Sequence, residues 1–184
     1  MKNEKTFAQY REIIEAADFE SGIPDDLKSI AVDTVNQLKE RNLSISAAES
    51  LTAGLFQAAI ANVPGASQIL GGGFVTYSDE SKVNLLHIDE NIVNKYTVVS
   101  PTVAQAMSDS TAKINGADIG VGLTGVAGPD PLEGSPVGTV FIGVYDRLRD
   151  SCVVREFHFE GSRRAVRLKS VVIAFVLVQR LIHQ

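Results

Sequence analysis

At 184 residues, 45% of them hydrophobic, the chain has the size of one ordinary domain and enough apolar mass for a sizeable core. Seventeen Lys and Arg face 22 Asp and Glu, a formal charge of -5, so nothing global draws it to nucleic acid or to an anionic membrane. Any anionic ligand needs a local basic site. Cys152 is the single cysteine, which excludes an internal disulfide, and with only three histidines the chain offers no zinc pattern and no metal site is expected.

The N-terminal stretch MKNEKTFAQYREIIEAADFE mixes charges of both signs and lacks the apolar core of a secretory signal. Within it Phe7, Tyr10, Ile13 and Ile14 recur at helical spacing, up to a break at Gly22-Ile23-Pro24. Residues 1–23 therefore form a helical extension, specific to this chain or used as an oligomer contact, and residues 24–184 form the main domain. After Pro24, the positions Leu27, Ile30, Ala31, Val35 and Leu38 define a core helix that stops at Arg41-Asn42. A strand over 43–49 leads into a helix over 51–63, which ends before Pro64-Gly65 and places Ser50 at the junction. A strand over 72–78, a short helix over 79–88 and a longer helix over 100–115 follow, the last with Ser100 as N-cap and Pro101 in the first turn. Residues 117–123 read as a buried strand and 124–136 as a Gly- and Pro-rich loop. The segments 137–146 and 151–160, joined by Arg-Leu-Arg-Asp, read as an antiparallel hairpin, with Cys152 as a small core residue. A helix over 162–183 closes the chain; its apolar run VVIAFVLV is far short of the roughly 20 residues that span a bilayer. This order predicts an α/β fold, a three-layer α/β/α sandwich with a mixed sheet, whose ligand sits outside the carboxyl ends of the parallel strands. The setting expected is cytoplasmic.

Four segments carry possible chemistry. In AES50LTAG, a serine between strand and helix lies near the free N–H groups of Leu51, Thr52 and Ala53, which could hold an oxyanion. Position alone favours a plain helix cap for Ser50, and Thr52 faces the same alternative. None of His87, His158 and His183 is placed to complete a Ser-His-Asp triad. Lys82, four residues after Ser78, can lean back toward the loop face where Tyr77 ends its strand, and partial burial near another cation would make it a base; a solvated lysine is the alternative. The loop from Thr124 offers Gly125 and Gly128, where backbone can approach a ligand or simply turn; it matches no phosphate-binding P-loop. Arg163 and Arg167, spaced i, i+4 at the start of the last helix, make a phosphate or carboxylate clamp or a pair of surface charges.

Taken in order, AESLTAG (47–54), VPG with GGFVTYSDESK (63–82), VVSPTVAQAM (98–107), LTGVAGPD (123–130), PVGTVFIGV (136–144) and FEGSRRAVR (159–167) resemble the CinA C-terminal family from about Pro24 to the end. Stand-alone members of that family are nicotinamide-mononucleotide deamidases, Ser/Lys amidohydrolases that yield nicotinate mononucleotide and ammonia in pyridine nucleotide recycling. The resemblance implies Ser50 as nucleophile, Lys82 as general base and Tyr77 as an aid to positioning. Thr52, Thr124, Gly125, Gly128, Arg163 and Arg167 would bind the substrate, and no cofactor is implied. A homo-oligomer is expected. The nucleotide-binding domain of longer CinA proteins has no counterpart in these residues, so no pyrophosphatase activity is expected of them. The competing expectations are a nucleotide-binding module tied to competence or DNA damage without turnover, and a Ser/Lys amidase for another amide.

Overall fold

The computed structural model describes residues 6–183. Helix α1 (Phe7–Ala16) opens on a capping box between Thr6 and Gln9, and α2 (Asp25–Glu40) follows Pro24. Strand β1 (Ile45–Glu49) leads to α3 (Leu55–Ala61), then to a single 3-10 turn at Ala66–Gln68 and to the two-residue strand β2 (Phe74–Val75). Three helices, α4 (Asp79–Leu86), α5 (Glu90–Tyr96) and α6 (Pro101–Asn115), precede β3 (Ile119–Gly125). The hairpin β4 (Thr139–Asp146) and β5 (Ser151–His158) is followed by α7 (Arg163–Ile182).

The sheet order is β2-β1-β3-β4-β5, parallel from β2 through β3 and antiparallel thereafter. Helices α2, α3 and α7 cover one face and α6, with α4 and α5 behind it, the other, which is the three-layer α/β/α sandwich expected. Alternation along the strands sorts the layers. On β3 and β4, Val121, Leu123, Val140, Ile142 and Val144 face the α7 side, while Gly120, Gly122 and Gly143 face α6. The absence of side chains there lets α6 lie directly on the sheet: a Cβ on Gly120 or Gly122 would collide with the carbonyl oxygens of Ser108 and Ala104, and one on Gly143 would stand 2.6 Å from that of Ala104. The run Val171–Val178 is wholly buried within the larger core, and no helix among the described residues is long and apolar enough to cross a membrane.

Helix α1 packs on α7 and on the hairpin. Ile14 and the following Phe19 are buried in the larger core, Phe7 meets Phe157 at 6.3 Å between ring centroids, and the Arg180 guanidinium lies 5.1 Å from the Phe7 ring. Two expected elements are corrected and one is added. The helix expected over 51–63 begins only at Leu55, because Ala53 and Gly54 adopt left-handed φ values of 51° and 92° and hold residues 51–54 in a turn. The strand expected over 72–78 pairs at only two residues. Between the helices expected at 79–88 and 100–115, α5 is an additional element, capped by Asp89. Cys152 is half-buried rather than in the core, with its Sγ 3.4 Å from Ser108 Oγ, and burial pushes its thiol above the ordinary value.

Candidate active site

Strands β1, β2, β3 and β5 all point the same way, since two antiparallel steps restore the direction, so their carboxyl ends share one edge of the sheet. That edge receives every residue singled out above: Ser50 after β1, Tyr77 and Lys82 after β2, Thr124 and Gly125 at the end of β3, Gly128 in the following loop, and Arg163 and Arg167 after β5. The chain crosses from one side of β1 to the other between β2 and β3, which makes β1 the topological switch point where α/β ligands bind.

Ser50 is tied to β3 by its backbone N–H, which donates to Leu123 O at 2.9 Å. On the other side, Thr76 N–H donates to Glu49 O at 2.8 Å, which continues the Glu49–Val75 pairing and sets Ser50 beside Thr76. The Ser50 hydroxyl caps no helix among the described residues. Helix α3 has Gly54 as its N-cap, without a side-chain bond, and its opening N–H groups go to the carboxylate of Glu49. Of the turn amides, Ala53 N–H donates to Ser50 O at 3.1 Å and is not free for an oxyanion. Those of Leu51 and Thr52 have no acceptor among the described residues.

Lys82 is 1% exposed and enters no ion pair among the described residues. Its Nζ donates to Thr76 O at 3.1 Å and to Ser78 O at 3.4 Å, so it reaches back over the start of α4 to the residue beside Ser50. Burial pushes its pKa below the ordinary lysine value, against the smaller opposing pull of Asp79 and Glu133. No second cation is required. Ser78 locks the base of this arm: its Oγ accepts from Ser81 N–H and the Ser81 hydroxyl accepts from Ser78 N–H, each at 3.1 Å.

The two arginines share a face but have different partners. Arg167 grips the Ser50 turn, donating from Nε to Leu51 O at 2.8 Å and from Nη2 to Thr52 O at 2.9 Å. Arg163 donates from Nη1 to Gly128 O at 2.6 Å and from Nη2 to the Tyr77 hydroxyl, so it joins the β2 and β3 loops. Each guanidinium keeps three of its five N–H donors beyond these bonds. Arg164 points away, toward Ser21 O at 3.4 Å. Thr124 spends its hydroxyl proton on Val98 O, and Gly125 is required by the sheet itself, because a Cβ there would stand 2.6 Å from Thr139 O. Thr52 and Thr76 are fully buried, and their Oγ1 atoms have no hydrogen-bond partner among the described residues. Glu49 and Thr76 lie within AESLTAG and GGFVTYSDESK, yet neither residue type announces a role there: a glutamate ending a strand looks like a surface charge, and a strand threonine has no chemistry of its own.

The profile of the CinA C-terminal domain matches residues 27–182. Proteins named competence-damage inducible protein in Streptococcus pneumoniae (strain 70585) and Lactiplantibacillus plantarum are 44% and 41% identical to this chain over 98% and 89% of its length. The chain spans only 43% and 38% of those relatives. The profile begins within α2, whereas the Streptococcus alignment also takes in α1. Among solved structures, a CinA superfamily protein of Klebsiella pneumoniae superposes with a TM-score of 0.82 at 28% identity, covering 85% of this chain and 98% of that one. A competence/damage inducible protein of Agrobacterium tumefaciens gives 0.82 at 27% identity, covering 88% and 98%. With its sequence pattern and its fold in agreement, the chain belongs to the CinA C-terminal domain family.

Proposed function

We propose that the chain is a Ser/Lys amidohydrolase that converts nicotinamide mononucleotide and water to nicotinate mononucleotide and ammonia. The observation that carries this reading is Lys82, a buried lysine that, among the described residues, has no acidic partner and reaches the residue beside a serine whose hydroxyl is unengaged. A neutral amine has two hydrogens, and the carbonyls of Thr76 and Ser78 take both, which leaves the nitrogen lone pair to accept a proton.

In the first half-reaction Lys82 Nζ takes the proton of Ser50 Oγ, and Oγ bonds to the carboxamide carbon. The carbonyl oxygen becomes an oxyanion, which the N–H groups of Leu51 and Thr52 are free to receive. Collapse breaks the carbon–nitrogen bond, and the proton held by Lys82 leaves with the nitrogen as ammonia. In the second half-reaction Lys82 takes a proton from water, the hydroxide adds to the acyl carbon, and collapse returns the proton to Ser50 Oγ. The remaining donors of Arg163 and Arg167 would hold the 5′-phosphate, with Tyr77 fixing Arg163 and the backbone around Thr124 and Gly128 bordering the nucleotide.

Incubating the pure protein with nicotinamide mononucleotide and measuring ammonia tests this, with release expected from the wild type and none from Ser50→Ala. A panel of amides with and without a 5′-phosphate separates this substrate from other amides. The relatives' name, competence-damage inducible protein, speaks of competence and damage and not of hydrolysis, and the second reading is a nucleotide-binding module tied to those responses without turnover. Binding of nicotinamide mononucleotide without any ammonia would favour it.

A further inference from the structure

Glu49 ends β1 fully buried, and no lysine or arginine pairs with it among the described residues. Its partners are N–H groups. Oε2 accepts from Gly54 N at 3.0 Å and Phe56 N at 3.1 Å; Oε1 accepts from Gln57 N at 2.9 Å and from the Gln57 side-chain Nε2 at 3.1 Å. The carboxylate thus satisfies amides that a serine or aspartate at the N-cap would ordinarily serve, while the N-cap itself is a glycine. Because Glu49 belongs to β1 and its partners to α3, the bond set closes residues 50–53 into a loop fixed at both feet.

We propose that Glu49 is the positioning residue of the nucleophile turn. By capping α3 from the end of the strand it relieves Ser50 of that duty and holds the turn in the left-handed bend at Ala53 and Gly54. That bend keeps the Leu51 and Thr52 N–H groups unbonded beside the serine. The proposal rests on the amidohydrolase reading above. Glu49 touches no reacting atom; it acts through the geometry of its neighbours. Glutamine cannot replace it, since one of the two oxygens becomes an NH₂ that faces N–H donors.

The test is Glu49→Gln, with turnover of nicotinamide mononucleotide, labelling of Ser50 by a fluorophosphonate, and amide hydrogen exchange measured on the same folded sample. Loss of a positioned oxyanion site lowers kcat on the order of 100-fold. The KM should stay near the wild-type value, labelling should slow in parallel, and exchange should quicken at Gly54, Phe56 and Gln57. An unchanged kcat in folded Glu49→Gln overturns the proposal, and so does a rise in KM with kcat preserved. If that variant does not fold, Gln57→Leu removes a single donor to the carboxylate, and kcat should fall roughly 2- to 10-fold at constant KM. No fall there overturns it equally. A wild type without turnover, or an active Ser50→Ala, refutes the amidohydrolase reading instead. The exchange rates at Gly54, Phe56 and Gln57 still decide what Glu49 holds.

Discussion

Two serines follow parallel strands at the same edge of the sheet, and they are used in opposite ways. Ser78 begins α4 as its N-cap, with its hydroxyl on Ser81 N–H and a reciprocal bond in return. Ser50 stands where α3 was expected to begin, but the helix starts five residues later and Glu49 does the capping. A hydroxyl committed to a helix terminus is held in one orientation by the backbone it serves. One without that commitment can turn toward a base. The β1–β2 register sets Ser50 beside Thr76, and the difference between the two serines leaves the first hydroxyl uncommitted while the second fastens the base of the arm that carries Lys82.

The comparison breaks most visibly at Ser50. Ser50→Ala should lower ammonia release by at least about 10⁴-fold, since losing a nucleophile leaves only binding and oxyanion contacts. Its thermal midpoint should stay close to that of the wild type, because no helix loses a cap. A large drop in midpoint would mean that Ser50 serves the fold after all. Lys82→Met should cost at least about 100-fold in turnover. Its stability also carries a sign. In the unfolded chain Lys82 keeps its proton up to the ordinary lysine value, whereas in the folded protein burial releases it at lower pH. Between those values the unfolded state binds more protons, so wild-type stability rises with pH across that window. Lys82→Met lacks this titration and should be the more stable protein below the window, with the gap closing as pH climbs; denaturant melts at several pH values check this.

Ser78→Ala sharpens the contrast from the other side. It should cost about 1 kcal/mol of stability, measurable by urea melts, because a helix cap is lost. Turnover should fall only modestly, through a looser hold on Lys82. The smallest effect belongs to Thr76→Val. The Thr76 hydroxyl is buried without a partner among the described residues, so its removal should leave stability unchanged or raise it by up to about 1 kcal/mol. A clear loss in the melt would show that the hydroxyl has a partner in solution.

The long periodic segments were legible in the sequence. Leu27, Ile30, Val35 and Leu38 do line the buried face of α2, and the hairpin and α7 follow closely the segments expected for them. The start of α3 was not legible, because Leu51, Thr52 and Ala53 contain no helix breaker, and only their backbone, turned left-handed at Ala53, removes them from the helix. The strand β2 is shorter than expected because β1 pairs in register only with Phe74 and Val75, and after them a single backbone bond, Thr76 N–H to Glu49 O, extends the pairing. At the site, residue types and order placed the candidates on one edge. What they could not convey was division of labour. Capping by Glu49 depends on a strand and a helix meeting, and the carbonyls gripped by Arg167 lie more than a hundred positions away in the chain.

That last contact has a consequence for the order in which the site forms. The guanidinium that holds the carbonyls of the Ser50 turn stands in the first turns of α7, 115 and 116 positions further along the chain. Strands β1 and β2 can come together with α3 and still lack that fastening, so the turn is held in full only once α7 docks against it.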